Sequence, residues 1–153
     1  MTVLLGIDLG ERRIGVATGD TATGAVRPIL TLRRGTIEQD ARAISRICAE
    51  RRADLVVVGL PLTLDGGDSK QTARTRAWAT DVAPLLDRPV VLRDERLTSA
   101  SAEARMGRPP RGRAGGPPSA RSRDAWRARV DREAAAGIVQ RELDARATEG
   151  TSR

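Results

Sequence analysis

The stretch Val3-Leu4-Leu5-Gly6-Ile7-Asp8-Leu9-Gly10-Glu11-Arg12-Arg13-Ile14-Gly15-Val16-Ala17 decides how the rest of the chain is read. Two short apolar runs, Val3 to Ile7 and Ile14 to Ala17, flank the polar turn Glu11-Arg12-Arg13, which is the pattern of a β-hairpin. Asp8 stands where the first run gives out. A carboxylate at the margin of a core loses solvation and is costly unless something cationic compensates it. Two further acids have comparable settings: Glu95 follows the run Pro89-Val90-Val91-Leu92-Arg93 through Asp94, and Asp131 lies beside the apolar stripe of a late helical segment. Oxygen-only ligands at such an edge suit Mg²⁺ or Mn²⁺.

Gly24 to Leu32 supplies a third strand, in which Pro28 is tolerated at a sheet edge, so the first three elements should be antiparallel. Thr36 and Gln39 form a capping-box pair that opens a helix, and Ile37, Ala41, Ile44 and Cys48 share one of its faces. Arg51-Arg52 at its end suits the helix dipole. Asp54 to Leu60 is the continuous β-branched run of a central strand covered on both faces, and strand, helix, strand implies a parallel crossover. After the Pro61 to Gly67 turn, a helix starting near Lys70 must end by Pro84. Pro89 to Arg93 is then a fifth strand, with Asp94 and Glu95 sent to opposite faces by strand alternation. Ligand sites in open α/β sheets lie at such carboxyl ends. Eight of the thirteen residues from Gly107 to Ser119 are Gly or Pro, so 107–123 is expected to be a flexible Arg/Gly/Pro loop. A last helix should begin between Asp124 and Val130 and run to about Ala147, with Val130, Ala134, Gly137 and Ile138 as a close-packing face. Residues 148–153 are expected to be a disordered tail.

The 153 residues, 39% hydrophobic and 31% charged, suit a single soluble α/β domain over 1–147. There is no His, Phe or Tyr; imidazole is therefore excluded as general base or zinc ligand, leaving carboxylates, Lys/Arg or a metal. The lone Cys48 reads as a core residue in a reducing compartment. No Lys or Arg precedes the Val3-Leu4-Leu5 run, and no apolar segment nears the roughly 18 residues that span a bilayer; the expectation is a cytoplasmic protein with no membrane partner. Between Arg105 and Arg129 there are eight Arg and one acid, Asp124, which accounts for the whole formal net charge of +7. Such a local positive field favours a polyanion, and a nucleic-acid backbone is the expected one. The competing reading is an Arg-rich loop in a chain whose only lysine is Lys70.

The order hairpin, third strand, crossover helix, strand, helix, strand and closing helix is that of the ribonuclease H-like fold, a five-stranded mixed sheet flanked by helices. Gly6-Ile7-Asp8-Leu9-Gly10 with Arg13-Ile14-Gly15-Val16-Ala17, Val57-Val58-Gly59-Leu60-Pro61-Leu62 with Asp65-Gly66 and Gln71, Asp94-Glu95-Arg96-Leu97-Thr98-Ser99, and Val130-Asp131 with Ala134-Ala135 and Ile138-Val139 resemble the YqgF family. That family comprises RuvC-like proteins described as Holliday junction resolvases and as pre-16S rRNA nucleases. The resemblance covers roughly residues 3 to 143; it departs from the family pattern in the long Gly/Pro/Arg stretch and at Thr63, where relatives commonly have Asn. It implies a catalytic metal site of Asp8, Glu95 and Asp131 holding two Mg²⁺ or Mn²⁺ ions, with Asp8 bridging them. Two such ions activate water and stabilise the phosphoryl transition state without any histidine.

Each acid has a plainer reading beside this one: Asp8 as a turn residue, Glu95 as the salt-bridge partner of Arg96 or Arg93, and Asp131 as an acid complementing a helix N-terminus. Arg13, Arg96, Thr98, Arg111, Arg113, Arg121 and Arg123 are candidate nucleic-acid contacts, with Thr98 equally a helix N-cap. Pro61, Asp65, Gly66 and Gln71 either border the substrate groove or form a turn and helix start. Trp78 reads as core, and Trp126, flanked by Arg123, Arg127 and Arg129, could stack on an unpaired base. Substrates implied are a pre-rRNA, in ribosomal precursor particles, or branched DNA. A junction resolvase would be expected to act as a symmetric homodimer, whereas RNA trimming needs only a monomer. A non-catalytic RNA-binding module and an ATP-binding protein are the remaining alternatives; the second lacks room for an opposed lobe.

Overall fold

The computed structural model describes residues 1–63, 65–95, 111–112 and 115–151. Five strands, β1 (Val3–Leu9), β2 (Arg13–Asp20), β3 (Val26–Arg33), β4 (Leu55–Leu60) and β5 (Val90–Asp94), form one sheet in the order β3-β2-β1-β4-β5. β1 pairs antiparallel with β2 and parallel with β4; β2–β3 is antiparallel and β4–β5 parallel. The mixed sheet is therefore the one expected, with β1 in its middle. Pro28 sits on edge strand β3 beside a register shift at Val16/Ala17, where its missing N–H costs no ladder bond.

Helices α1 (Ile37–Arg51) and α2 (Lys70–Val82) cover one face, and α3 (Ala120–Thr151) covers the other. The Thr36 hydroxyl accepts from Gln39 N–H while the Gln39 side chain accepts from Thr36 N–H, as the capping box requires. Pro84 lies in a short 3₁₀ turn directly after α2. The first face buries Leu5, Ile7, Leu9, Ile14, Val16, Val56 and Val58 against Ile44, Cys48, Trp78 and Val82. The second buries Leu4, Ala17 and Val57 against Ala135, Ile138, Val139 and Leu143. β4 is buried along its whole length, as a strand with helices on both sides must be. Among the described residues no helix is long and apolar enough to cross a membrane.

The expectations for the last helix require correction. α3 starts at Ala120 and runs to Thr151, so residues 120–123 belong to a helix rather than a loop, and 148–151 continue it rather than form a tail. The Ser119 hydroxyl accepts from Ser122 N–H and caps it. Of the expected close-packing face, Ile138 joins the sheet-facing core with Ala135 and Val139, while Val130 and Ala134 form a separate buried cluster with Trp126. Trp126 is only 8% exposed, so it is not a platform for a base. Asp131 lies well inside α3 and cannot be complementing a helix N-terminus.

Candidate active site

Strand parity settles which side chains share a face. On β1, Leu4 packs under α3, and a Cβ at Gly6 would lie 2.4 Å from Val139 Cγ2; Asp8 follows with the same parity, at the carboxyl end of the central strand. On β5, Val91 packs toward α3 and Arg93 reaches Glu142 of that helix. Glu95, next in parity, is buried, while Asp94 is exposed, so alternation separates the two acids as expected.

Glycines on both neighbouring strands clear the floor around Asp8. Gly15 lies directly opposite it on β2, and a Cβ there would sit 2.0 Å from the Asp131 carbonyl oxygen. Gly59, on β4, would place a Cβ 2.8 Å from Glu95 Cγ and 2.5 Å from Ile138 Cδ1. No real Cβ survives such contacts, so glycine is what lets Asp131 and Glu95 approach the sheet on either side of Asp8. These two glycines carry as much of the site as the acids. Their shared face was readable from strand parity but is not a motif of charged residues.

The three carboxylates differ electrostatically. Burial, reinforced by the nearby Asp131 charge, pushes the Asp8 carboxyl up to about 7. It has no ion pair among the described residues. Burial also raises Asp131, although Arg13 opposes this by donating from Nε to Oδ2 at 3.0 Å. Glu95, 4% exposed, has Arg141 Nε 3.5 Å from its Oε2; its salt-bridge partner is therefore not Arg93, which is bound to Glu142.

Among the described residues, no three acids are grouped closely enough to hold a metal ion between them: Asp131 is drawn to Arg13 and Glu95 to Arg141. The donor chemistry nevertheless fits a hard divalent cation. All donors are oxygens, they lie on one face, and Asp8 and Asp131 repel each other at a partly buried position, a strain that a cation relieves.

The other expected contacts fall in three groups. Arg13 and Arg123 line a cleft of about 510 Å³ with Gly10, Glu11, Arg12, Asp124, Arg127 and Asp131. Arg111 and Arg121 are exposed and do not line it. Arg96, Thr98 and Arg113 lie outside the described residues. In the loop after β4, Asp65 bonds within its own turn and Gly66 has a positive φ of 87°, which fits the turn reading. Gln71 does more: its Nε2 donates to the Leu9 carbonyl at 2.9 Å, bracing the residue after Asp8. Arg34, which sequence reasoning passed over, donates to the Gly10 carbonyl at 3.0 Å and holds the hairpin turn from the other side.

A mixed five-stranded sheet in this order, with acids at the carboxyl ends of its central strand β1 and its edge strand β5, defines a ribonuclease H-like domain of the resolvase type. The chain is similar to T. thermophilus RuvC in complex with Holliday junction substrate (TM-score 0.53, 15% identity, covering 95% of this chain and 96% of that one). It is also similar to the Fowlpox virus Holliday junction resolvase (TM-score 0.51, 11% identity, 94% and 99%). These likenesses establish the fold. The family model described as "RuvX: Holliday junction resolvase" matches residues 2–145, and the chain belongs to this family, the YqgF family of the sequence resemblance. A protein of Synechococcus elongatus named "Putative pre-16S rRNA nuclease" is 40% identical over 143 residues, 92% of this chain and 87% of that protein. One of the same name from Anaeromyxobacter sp. is 41% identical over 142 residues, 93% and 96%. Membership makes this a nuclease-type enzyme, a hydrolase of phosphodiester bonds.

Proposed function

We propose that the protein is a divalent-metal-dependent endonuclease of cytoplasmic ribosome biogenesis that cuts at the 5′ end of pre-16S rRNA, free or in a ribosomal precursor particle. The observation that carries this is that Asp8 of β1 and Glu95 after β5 lie on the sheet face covered by α3, the helix that carries Asp131, with Gly15 and Gly59 admitting Asp131 and Glu95. The names of the relatives point to the substrate.

Asp8, Glu95 and Asp131 would hold Mg²⁺ or Mn²⁺, two ions in this reading, once Asp131 and Glu95 leave their arginines. When bound, the ions supply an activated water and neutralise charge on the phosphoryl group. The chain's own residues do the rest. Gln71 and Arg34 fix the backbone on either side of Gly10, so that Asp8 is presented in one orientation. Burial of Asp8 raises the strength of any charge interaction there by excluding water. The arginines beside the cleft hold the phosphate backbone in register, a contact that positions without reading sequence.

A second reading is resolution of four-way DNA junctions, favoured by the description of the family model. Offering purified protein a pre-16S rRNA fragment and a mobile four-way junction in Mg²⁺ or Mn²⁺, with oligomeric state measured alongside, separates them. The expected result is a cut mapping to the mature 5′ end by a monomer. Paired symmetric nicks in the junction by a dimer, with the RNA intact, would transfer the assignment to DNA.

A further inference from the structure

One cleft next to the acids gathers four arginines, Arg12, Arg13, Arg123 and Arg127, against three acids, Glu11, Asp124 and Asp131. Arg12 comes from the hairpin turn, and Arg123 and Arg127 lie one turn apart on α3; all three are exposed and line the cleft of about 510 Å³. None makes a side-chain hydrogen bond or ion pair among the described residues. α3 has no acid in its first turn to offset its positive end. The acids of the cleft are taken by other side chains, Glu11 by Arg74 and Asp124 and Asp131 by Arg13, so Arg12, Arg123 and Arg127 keep donors for an anion that can accept several at once, as a phosphate does.

Arg13, at the floor of this cleft, is the exception. It is committed, donating to Asp131 Oδ2 at 3.0 Å and lying 3.9 Å from Asp124 Oδ1. It thus touches both the basic cleft and one member of the acidic group, and turning its fork into the cleft to meet a phosphate takes its Nε–H away from Asp131.

We propose that the cleft seats a backbone phosphate of the nucleic-acid strand beside the scissile bond, and that Arg13 couples this seat to the metal site by exchanging Asp131 for the phosphate. Arrival of the strand withdraws Arg13 from Asp131, and the freed carboxylate would then be available, with Asp8, to hold a divalent cation. Because such coupling is thermodynamically reciprocal, each ligand tightens the other. The inference rests on the nuclease reading above, and it assigns Arg13 as a positioning residue rather than a catalytic one. It also gives the hydrogen bond seen in the structure a purpose: without substrate, Arg13 keeps Asp131 from completing the metal site.

The test is Mn²⁺ binding by electron paramagnetic resonance on the full-length protein, with and without a cleavage-resistant phosphorothioate single strand, in ribose and deoxyribose forms. Wild type should bind Mn²⁺ about tenfold more tightly with the strand present, within the range typical of coupled sites. Arg13→Gln should bind Mn²⁺ more tightly than wild type when no strand is present, and the strand should then add little. Equal or weaker Mn²⁺ binding by Arg13→Gln, or a tenfold effect that survives the substitution, would overturn the proposal. Should Arg13→Gln not fold, Arg12→Gln/Arg123→Gln decides the matter on exposed side chains. Weaker strand binding and reduced coupling support the phosphate seat, and unchanged values of both refute it. If wild type binds no Mn²⁺ under any condition, the metal-dependent nuclease reading itself fails, a result distinct from intact Mn²⁺ binding that Arg13 does not control.

Discussion

Asp8 carries the most specific consequence at the scale of a residue. Its carboxyl, ordinarily near 3.8, is pushed up to about 7 in the folded protein by burial and by Asp131. A folded value above the unfolded one means a contribution to stability that is full below about pH 4 and is lost as pH rises through 7. In metal-free protein, Asp8→Asn should therefore gain stability relative to wild type as pH rises from 4 to 8. The full linkage is about 4 kcal/mol, and partial solvent access reduces the expected gain to about 1–3 kcal/mol. Urea unfolding at pH 4, 6 and 8 in chelator checks this; a difference that does not change with pH contradicts it. Asp8 and Glu95 were legible in the sequence because a strand that gives out at an acid, and the two-residue alternation of β5, are local signals. Trp126 was misread for an equally local reason: its arginine neighbours suggested exposure, whereas its spacing of four from Val130 and eight from Ala134 puts it on a buried helical stripe.

At the scale of elements, the fit of α3 to the sheet is the decisive contact. Gly15→Ala would drive a methyl group into the Asp131 carbonyl, a backbone atom that cannot swing aside, so the helix must shift. Overpacking of this kind costs about 1–3 kcal/mol, and the displaced Asp131 should lower cleavage further than the loss of stability explains. Thermal unfolding paired with initial rates will show it; near wild-type rates would mean that the seating of α3 does not set the site. The same helix is tied to β5 by Glu142, 2% exposed, which accepts from Arg93 Nε at 2.6 Å and from Arg146 Nε at 3.1 Å. Burial alone would raise the Glu142 carboxyl, but the Arg93 hydrogen bond and charge and those of Arg146 outweigh it and hold the group below 4.5. Its contribution is therefore present above pH 4.5 and lost as pH falls through the lowered value. Glu142→Gln should cost about 1–3 kcal/mol at pH 7 and flatten the acid limb of the melting curve; an unaltered acid limb would count against the clamp. The strand order and the first two helices followed from pattern because caps and β-branched runs are local. The limits of α3 did not: the Ser119–Ser122 cap was outweighed by the Gly/Pro density just before it, and the glycines that admit Asp131 and Glu95 act across strands, where linear order hides them.

For the whole molecule, charge and carboxylates are separate in sequence and adjacent in space. The +7 between Arg105 and Arg129 begins beyond β5 and ends in the first turns of α3, whose Arg123 and Arg127 line the cleft beside Asp131. Replacing Arg12, Arg123 and Arg127 together with Gln should weaken binding to RNA and lower the slope of log affinity against log salt by about 2–3, roughly one unit for each phosphate that an arginine no longer neutralises. Fluorescence anisotropy across a salt series reads this directly, and an unchanged slope would make the arginines bystanders. The central claim, that Asp8, Glu95 and Asp131 close on divalent ions to cut a phosphodiester, is tested most directly by cleavage of a pre-16S rRNA fragment in Mg²⁺ or Mn²⁺ by wild type and by Asp8→Asn of matched circular dichroism. The account predicts a metal-dependent cut that the substitution reduces by at least about 100-fold. Undiminished cleavage by Asp8→Asn, or cleavage by wild type that persists in excess chelator, would contradict it.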